Sequence, residues 1–339
     1  MCVVRRVFRK LLEPVLLGAL AFPTVWAQDW PAKPIRVVVP YSAGSSTDIL
    51  ARKIGDPLSR ALGQSVVVDN KAGANSTIGT ESVARSPGDG YTLLLGTNAG
   101  FAASPAGLVR NLRYDPLADF VPVIHVASIY HTLFVGSSVP VDNARCLIAA
   151  MKANPSKFNI ATGNTASFAY SEMLRKVVGP EVISVPYKSS PEAITDIIGG
   201  RVQVMFTDSA TGVPCVKSGQ LKALAAVEKR NPLLPDLPTL QDLGIEGFGD
   251  ASGWFAFYAP AGTPRAVVER LNREVATILN DPQMRDWLLA NGYTVATQTS
   301  QEALAAHTRA QIEYWKQIIR DFQLQPVSSI VPAQPTLHG

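Results

Sequence analysis

Residues 41 to 48 read Tyr-Ser-Ala-Gly-Ser-Ser-Thr-Asp, a run of hydroxyl groups that ends in a carboxylate and is broken by small residues. Such a run suits anion binding, because free backbone NH groups at the positive end of a helix hold a carboxylate or phosphate without a basic side chain. Ser42, Ser45, Ser46 and Thr47 add hydroxyl donors to those amides. Asp48 fits differently: its charge suits a helix N-terminus, yet it repels an anion placed within about 4 Å. It is read as organising the loop or as meeting a ligand amino group, and Asp48→Ala is expected to weaken ligand binding with little change in fold. The plainer reading of the run is a helix cap at Ser46 or Thr47.

Other reactive chemistry is scarce. The histidines His125, His131, His307 and His338 stand at no metal-ligand spacing. There is no G-x-S-x-G elbow, no phosphate-binding G-x-x-x-x-G-K-S/T loop and no C-x-x-C. His125 and His131 flank apolar segments and are read as structural, and Trp254 as core. Asp208, at a strand end, divides evenly between meeting a ligand and capping a helix. The sequence therefore offers no catalytic residue, no metal site and no cofactor site.

The loop needs a strand to deliver it and a helix to follow it. Ile35, Val37, Val38 and Val39 form a β-branched run stopped by Pro40, as in a short strand covered on both faces. Ile49, Leu50, Ile54, Leu58 and Leu62 then recur at helical spacing up to Gly63. The pattern repeats: strands at 65–69 and 91–95 end in small polar loops at 70–77 and 96–98, with a helix over 78–85 between them. Further strands are expected at 121–126, 130–135, 158–161, 182–187, 202–206, 221–227 and 253–259. Helices are expected at 143–152 and 191–198, after Pro264, after Pro282 and after Ser300. Polar loops at 162–168 and 207–209 resemble the first three. Alternating strands and helices imply an α/β fold whose ligands gather beyond the carboxyl ends of the strands.

The N-terminus reads as a secretory signal over residues 1–27, with Arg5, Arg6, Arg9 and Lys10 before the apolar run 15–22 and small residues near the cleavage point. Glu13, Pro14 and Pro23 break that run too early for a membrane span. Without the segment the net charge falls from +4 to about +1, a balance that suggests no nucleic-acid or membrane-surface role. The mature length exceeds a single core, so two lobes are expected. Cys146 and Cys215 would remain, and their spacing leaves pairing open.

Seven motifs, taken together, resemble one family. They begin with Val39-Pro40-Tyr41-Ser42-Ala43-Gly44-Ser45-Ser46-Thr47-Asp48, Asn70-Lys71-Ala72-Gly73-Ala74-Asn75-Ser76-Thr77-Ile78-Gly79 and Pro87-Gly88-Asp89-Gly90-Tyr91-Thr92-Leu93-Leu94. Val185-Pro186-Tyr187-Lys188 and Thr195-Asp196-Ile197-Ile198-Gly199-Gly200-Arg201-Val202 follow, then Leu234-Pro235-Asp236-Leu237-Pro238-Thr239 and Ala259-Pro260-Ala261-Gly262-Thr263-Pro264. In this order they resemble the Bug family, the extracytoplasmic solute receptors of tripartite tricarboxylate transporters.

The resemblance implies the type II periplasmic binding protein fold, two α/β lobes joined by two crossover strands. Lobe 1 is expected over 28–128 plus 254–325, lobe 2 over 129–253 and a tail over 326–339. It implies a periplasmic, non-enzymatic, monomeric receptor for a small carboxylate, handed to membrane transporter subunits. A sensor kinase as the partner, or a secreted hydrolase, are the alternatives. Carried over by position, the ligand-binding residues are Tyr41, Ser42, Gly44, Ser45, Thr47 and Asp48 in the first loop, Ser76 and Thr77 in the second, and Thr97 and Asn98 in the third. Lobe 2 contributes Thr165, Ala166, Ser167, Thr207 and Asp208. The chain departs from the family where Asn75 and Ser76 replace two common glycines, where Thr165 replaces another, and where Ala169 replaces a histidine.

Overall fold

The computed structural model describes residues 30–227, 229–246, 248, 253–297 and 299–326. The expected signal segment, and the expected tail apart from Pro326, lie outside the described residues.

The opening unit forms as its sequence dictates. Strand β1 (Ile35–Val39) leads through the hydroxyl-rich loop into helix α1 (Ser46–Leu62), which stops at Gly63 in the left-handed conformation. β1 is buried on both faces: Ile35, Val37 and Val39 enter one apolar cluster and Val38 the other. Next come β2 (Val66–Asn70), α2 (Thr77–Ala84) and β3 (Thr92–Thr97). A π-helical segment, Ala99–Leu108, precedes β4 (Phe120–Ile129). That segment carries no one-sided pattern, because it is apolar throughout and most of it is buried under the sheet.

One residue, Tyr130, separates β4 from β5 (His131–Gly136), and across it the chain changes sheets. Then follow α3 (Ala144–Ala153), β6 (Asn159–Thr162), α4 (Thr165–Val178), β7 (Ile183–Pro186), α5 (Ser190–Ile198), β8 (Val204–Asp208), α6 (Ser209–Lys217) and β9 (Leu221–Ala226). The chain returns to the first sheet with β10 (Gly253–Pro260). It ends in α7 (Arg265–Asn280), α8 (Pro282–Ala290), β11 (Tyr293–Val295) and α9 (Gln301–Phe322).

Two sheets result, with strand orders β11-β4-β10-β3-β1-β2 and β7-β6-β8-β5-β9. Each holds a parallel core with antiparallel strands added, and β10 lies antiparallel between β3 and β4. α1, α7 and α8 cover one face of the first sheet, and α9 with the π-helical segment covers the other. Around the second sheet, α3 and α4 occupy one face and α5 and α6 the other.

Local chemistry corrects two expectations. The polar loop expected over 162–168 is shorter, because Asn164 caps α4 at once: its carbonyl oxygen accepts the Ser167 amide at 2.8 Å, and the Ser167 hydroxyl accepts the Asn164 amide at 3.0 Å. The residues after Asp208 also form a helix, α6, that its periodicity did not announce. Cys146 and Cys215 are free thiols.

Candidate functional site

The carboxyl ends of β1, β3, β6 and β8 point into the gap between the sheets, and the helices that follow begin there. A cavity of about 30 Å³ lies at this point, room for one or two waters. From the first sheet it is lined by Tyr41, Ser45, Ser46, Thr47, Thr97, Asn98, Gly253 and Phe255. From the second, His131, Gly163, Asn164, Thr165, Ala166, Ser190 and Asp208 complete it. No lysine or arginine is among them.

Its electrostatics come from helix ends. α1 and α4 both start at the cavity, one from each sheet, and the first-turn amides of a helix have no carbonyl one turn earlier to bond. Ser46 and Thr47 in the first turn of α1, and Thr165 and Ala166 in the first turn of α4, all line the cavity. Two lining side chains add unpartnered buried polar atoms, Asn98 Nδ2 and Thr165 Oγ1. A buried polar atom without a protein partner is costly unless a ligand or water meets it. Tyr41 is tied to Thr97, O to O 3.2 Å. Burial raises its pKa, the Thr97 hydrogen bond works against that rise, and the nearby Asp208 carboxylate adds to it.

The first-loop residues divide into wall and scaffold. Ser45 caps α1 by accepting the Asp48 amide, and its neighbours Ser46 and Thr47 form the wall. Asp48 turns away. One carboxylate oxygen accepts the Gly44 amide at 2.9 Å, and the other accepts Arg52 Nε and Asn70 Nδ2, each at 3.0 Å. Burial opposes its ionisation, but these donors outweigh burial and hold its pKa below the usual carboxylate value. Gly44 stands at φ 79°, the left-handed turn that lets its amide reach Asp48.

Ser42 sits at the rim and donates to Glu192 Oε1 in the other lobe at 3.2 Å. Ser76 and Thr77 lie behind the wall. Ala74, Asn75 and Ser76 are all left-handed, at φ 47°, 51° and 73°. Residues with side chains adopt this conformation only at some cost, so the loop bears local strain. In the second lobe Ser167 is occupied by the cap of α4, and Thr207 is buried inside β8 opposite Thr132. Asp208 both caps and lines. Its Oδ1 accepts the Thr211 amide at 2.9 Å, while Oδ2 accepts the Ser46 hydroxyl from the opposite lobe at 3.1 Å.

The lining residues Tyr41, Ser45, Thr47, Thr97, Asn98, Thr165, Ala166 and Asp208 were all marked by the sequence; Ser42, Gly44, Asp48, Ser76, Thr77, Ser167 and Thr207 stand outside the wall. The sequence did not mark His131, Gly163, Asn164, Ser190, Gly253 or Phe255 as site residues. Gly163 had a readable reason: a Cβ there would lie 2.5 Å from the Ser190 amide nitrogen, so glycine lets the starts of α4 and α5 close together. His131 had no local signal. It reaches the cavity because β5 pairs with β8 in a register that sets it opposite Asp208.

Comparison with known proteins agrees with this geometry. The model of the tripartite tricarboxylate transporter family receptor matches residues 50–324. The chain belongs to that receptor family. Protein BugT of Bordetella pertussis is 34% identical over 312 residues, which cover 91% of this chain and 94% of BugT. The periplasmic binding protein BugD is 33% identical with a TM-score of 0.83, over 88% of this chain and all of BugD. Rpa4515 of R. palustris, solved with adipate, is 31% identical with a TM-score of 0.83, over 88% of this chain and all of Rpa4515. The receptor family has the two-lobed periplasmic binding protein fold, and the two sheets seen here are its lobes.

Proposed function

We propose that the protein captures a small carboxylate between its lobes and presents the closed form to the membrane subunits of a tripartite tricarboxylate-type transporter. The observation that carries this reading is the meeting of the α1 and α4 N-termini, one from each lobe, at a cavity lined by no lysine or arginine. A carboxylate placed there completes both helix ends at once and so draws the lobes together. A relative solved with adipate supports the ligand class.

The reading includes lobes of 28–128 with 254–325 and of 129–253, a signal segment over 1–27, a monomeric state and no turnover of the ligand. Among the described residues no group of metal-binding side chains is assembled. The test is thermal unfolding of the mature chain from Gln28 against mono- and dicarboxylates, aromatic acids and amino acids. A ligand at 100 times its dissociation constant adds about 2.7 kcal/mol, a shift of several degrees. A folded, ligand-free protein that no carboxylate stabilises would refute the reading.

A further inference from the structure

We propose that the ligand carries an ammonium group beside its carboxylate and that Asp208 is the residue that receives it. This deepens the carboxylate reading above and rests on it.

The two halves of the cavity are chemically unlike. Helix amides and the unpartnered Asn98 Nδ2 and Thr165 Oγ1 favour an anion. Asp208 favours the opposite. It is 4% exposed and lines the cavity that otherwise lacks an acidic side chain. Its Oδ1 is committed within its own lobe, to the Thr211 amide at 2.9 Å and the Thr211 hydroxyl at 2.8 Å. Oδ2 faces across the gap, and the donor it meets there, the Ser46 hydroxyl at 3.1 Å, belongs to the other lobe.

That contact spans a cavity of about 30 Å³, room for about two waters at roughly 10–15 Å³ of such space each, so an acid of three or more carbons does not fit while the contact stands. Admitting a ligand therefore parts Ser46 from Asp208. A buried carboxylate that loses a donor must be given another, or the complex bears the cost. The other titratable groups at the wall are His131, opposite Asp208 in the β5–β8 ladder, and the Tyr41 phenol. Asp208 brings the only carboxylate among the lining residues, and a like charge placed beside it is disfavoured. An ammonium group, with three donors and the matching charge, satisfies Oδ2 where an unsubstituted acid leaves it short.

The experiment is calorimetric titration of the mature wild-type chain at pH 8 with three matched trios: alanine, lactate and propionate; aspartate, malate and succinate; phenylalanine, 3-phenyllactate and 3-phenylpropionate. The expected result is an amino member that binds about tenfold or more tighter than its two partners in at least one trio. Asp208→Asn keeps the cap of α6, since asparagine caps as well as aspartate, and should shrink that preference to about threefold or less. A hydroxy or unsubstituted acid binding tightest in every trio that binds overturns the ammonium site and leaves the carboxylate reading standing. A preference unchanged in Asp208→Asn also overturns it. No binding in any trio overturns both readings together. If Asp208→Asn does not fold, the wild-type ranking alone decides.

Discussion

Each lobe brings one buried aspartate to its ligand loop, and the two are used in opposite ways. Asp48 in lobe 1 is turned back into its own loop, where Gly44, Arg52 and Asn70 consume its charge. Asp208 in lobe 2 keeps one oxygen for its own helix and presents the other to the gap. The difference separates a residue that builds a site from one that belongs to its wall. Sequence position does not distinguish them, since both lie where a strand gives way to a helix.

Asp48→Ala is the sharpest way to test this contrast. It strips the Gly44 amide, Asn70 and Arg52 of one shared partner, and should cost about 3 kcal/mol in a denaturant titration. That exceeds the small change in fold expected from the sequence. Asp208→Asn, which keeps a side chain able to cap, should cost less than about 1 kcal/mol. Equal losses would erase the distinction between scaffold and wall.

A smaller effect is expected where the wall relies on close backbone approach. Gly163→Ala drives a Cβ to 2.5 Å from the Ser190 amide nitrogen and 2.6 Å from its Cα, neither of which is a flexible group. Overpacking of this kind costs about 1–3 kcal/mol. Because the displaced elements are the starts of α4 and α5, ligand affinity should fall with stability. A variant that is destabilised yet binds normally would place the ligand away from lobe 2.

Acid acts on lobe 1 through a pair of histidines. Lobe 1 stacks His125 on His307, ring centroids 5.1 Å apart, with Trp254 packed against both, and Nε2 of each histidine is buried without a partner. Burial, and then the neighbouring His307, push His125 down to about 4, and burial lowers His307 as well. Both stay neutral in the fold where they would be charged in the unfolded chain. The stability tied to their neutral form is whole above pH 6.5 and is lost as pH falls from there towards 4, by about 2 kcal/mol at pH 5. Denaturant titrations at pH 7.5 and 5 should show that loss, and His125→Phe should abolish most of it.

Much of the scaffold was legible in the sequence. The β1–α1 unit announced itself through a β-branched run, a helical stripe and a stopping glycine, all local signals. Polar loops after three successive strands pointed to one side of a sheet, and two of those loops, after β1 and β3, reach the wall. What escaped depended on long-range pairing or on burial from every side. His131 reaches the cavity only through the β5–β8 register, and the π-helical segment carries no one-sided pattern because it is apolar and mostly buried. The direction of a side chain was equally hidden. Thr47 and Asp48 are neighbours in the first turn of α1, yet the first lines the cavity and the second braces the loop before it.

The smallest expected effect concerns the rim, where Ser42 of lobe 1 meets Glu192 of lobe 2 at 3.2 Å. This bond is exposed, so Ser42→Ala should change global stability by no more than about 0.5 kcal/mol. It nevertheless joins the two lobes, and any bond made only in the closed form biases the equilibrium that a ligand exploits. Losing a net hydrogen bond of about 0.5–1 kcal/mol from the closed form should weaken apparent affinity by about two- to fivefold. The sign is informative. Weaker binding means that the rim bond persists in the liganded form, even though the Ser46–Asp208 contact beneath it parts to admit the solute. Tighter binding means that the rim bond belongs to an empty form closed further than the liganded one, and that both contacts open in the complex.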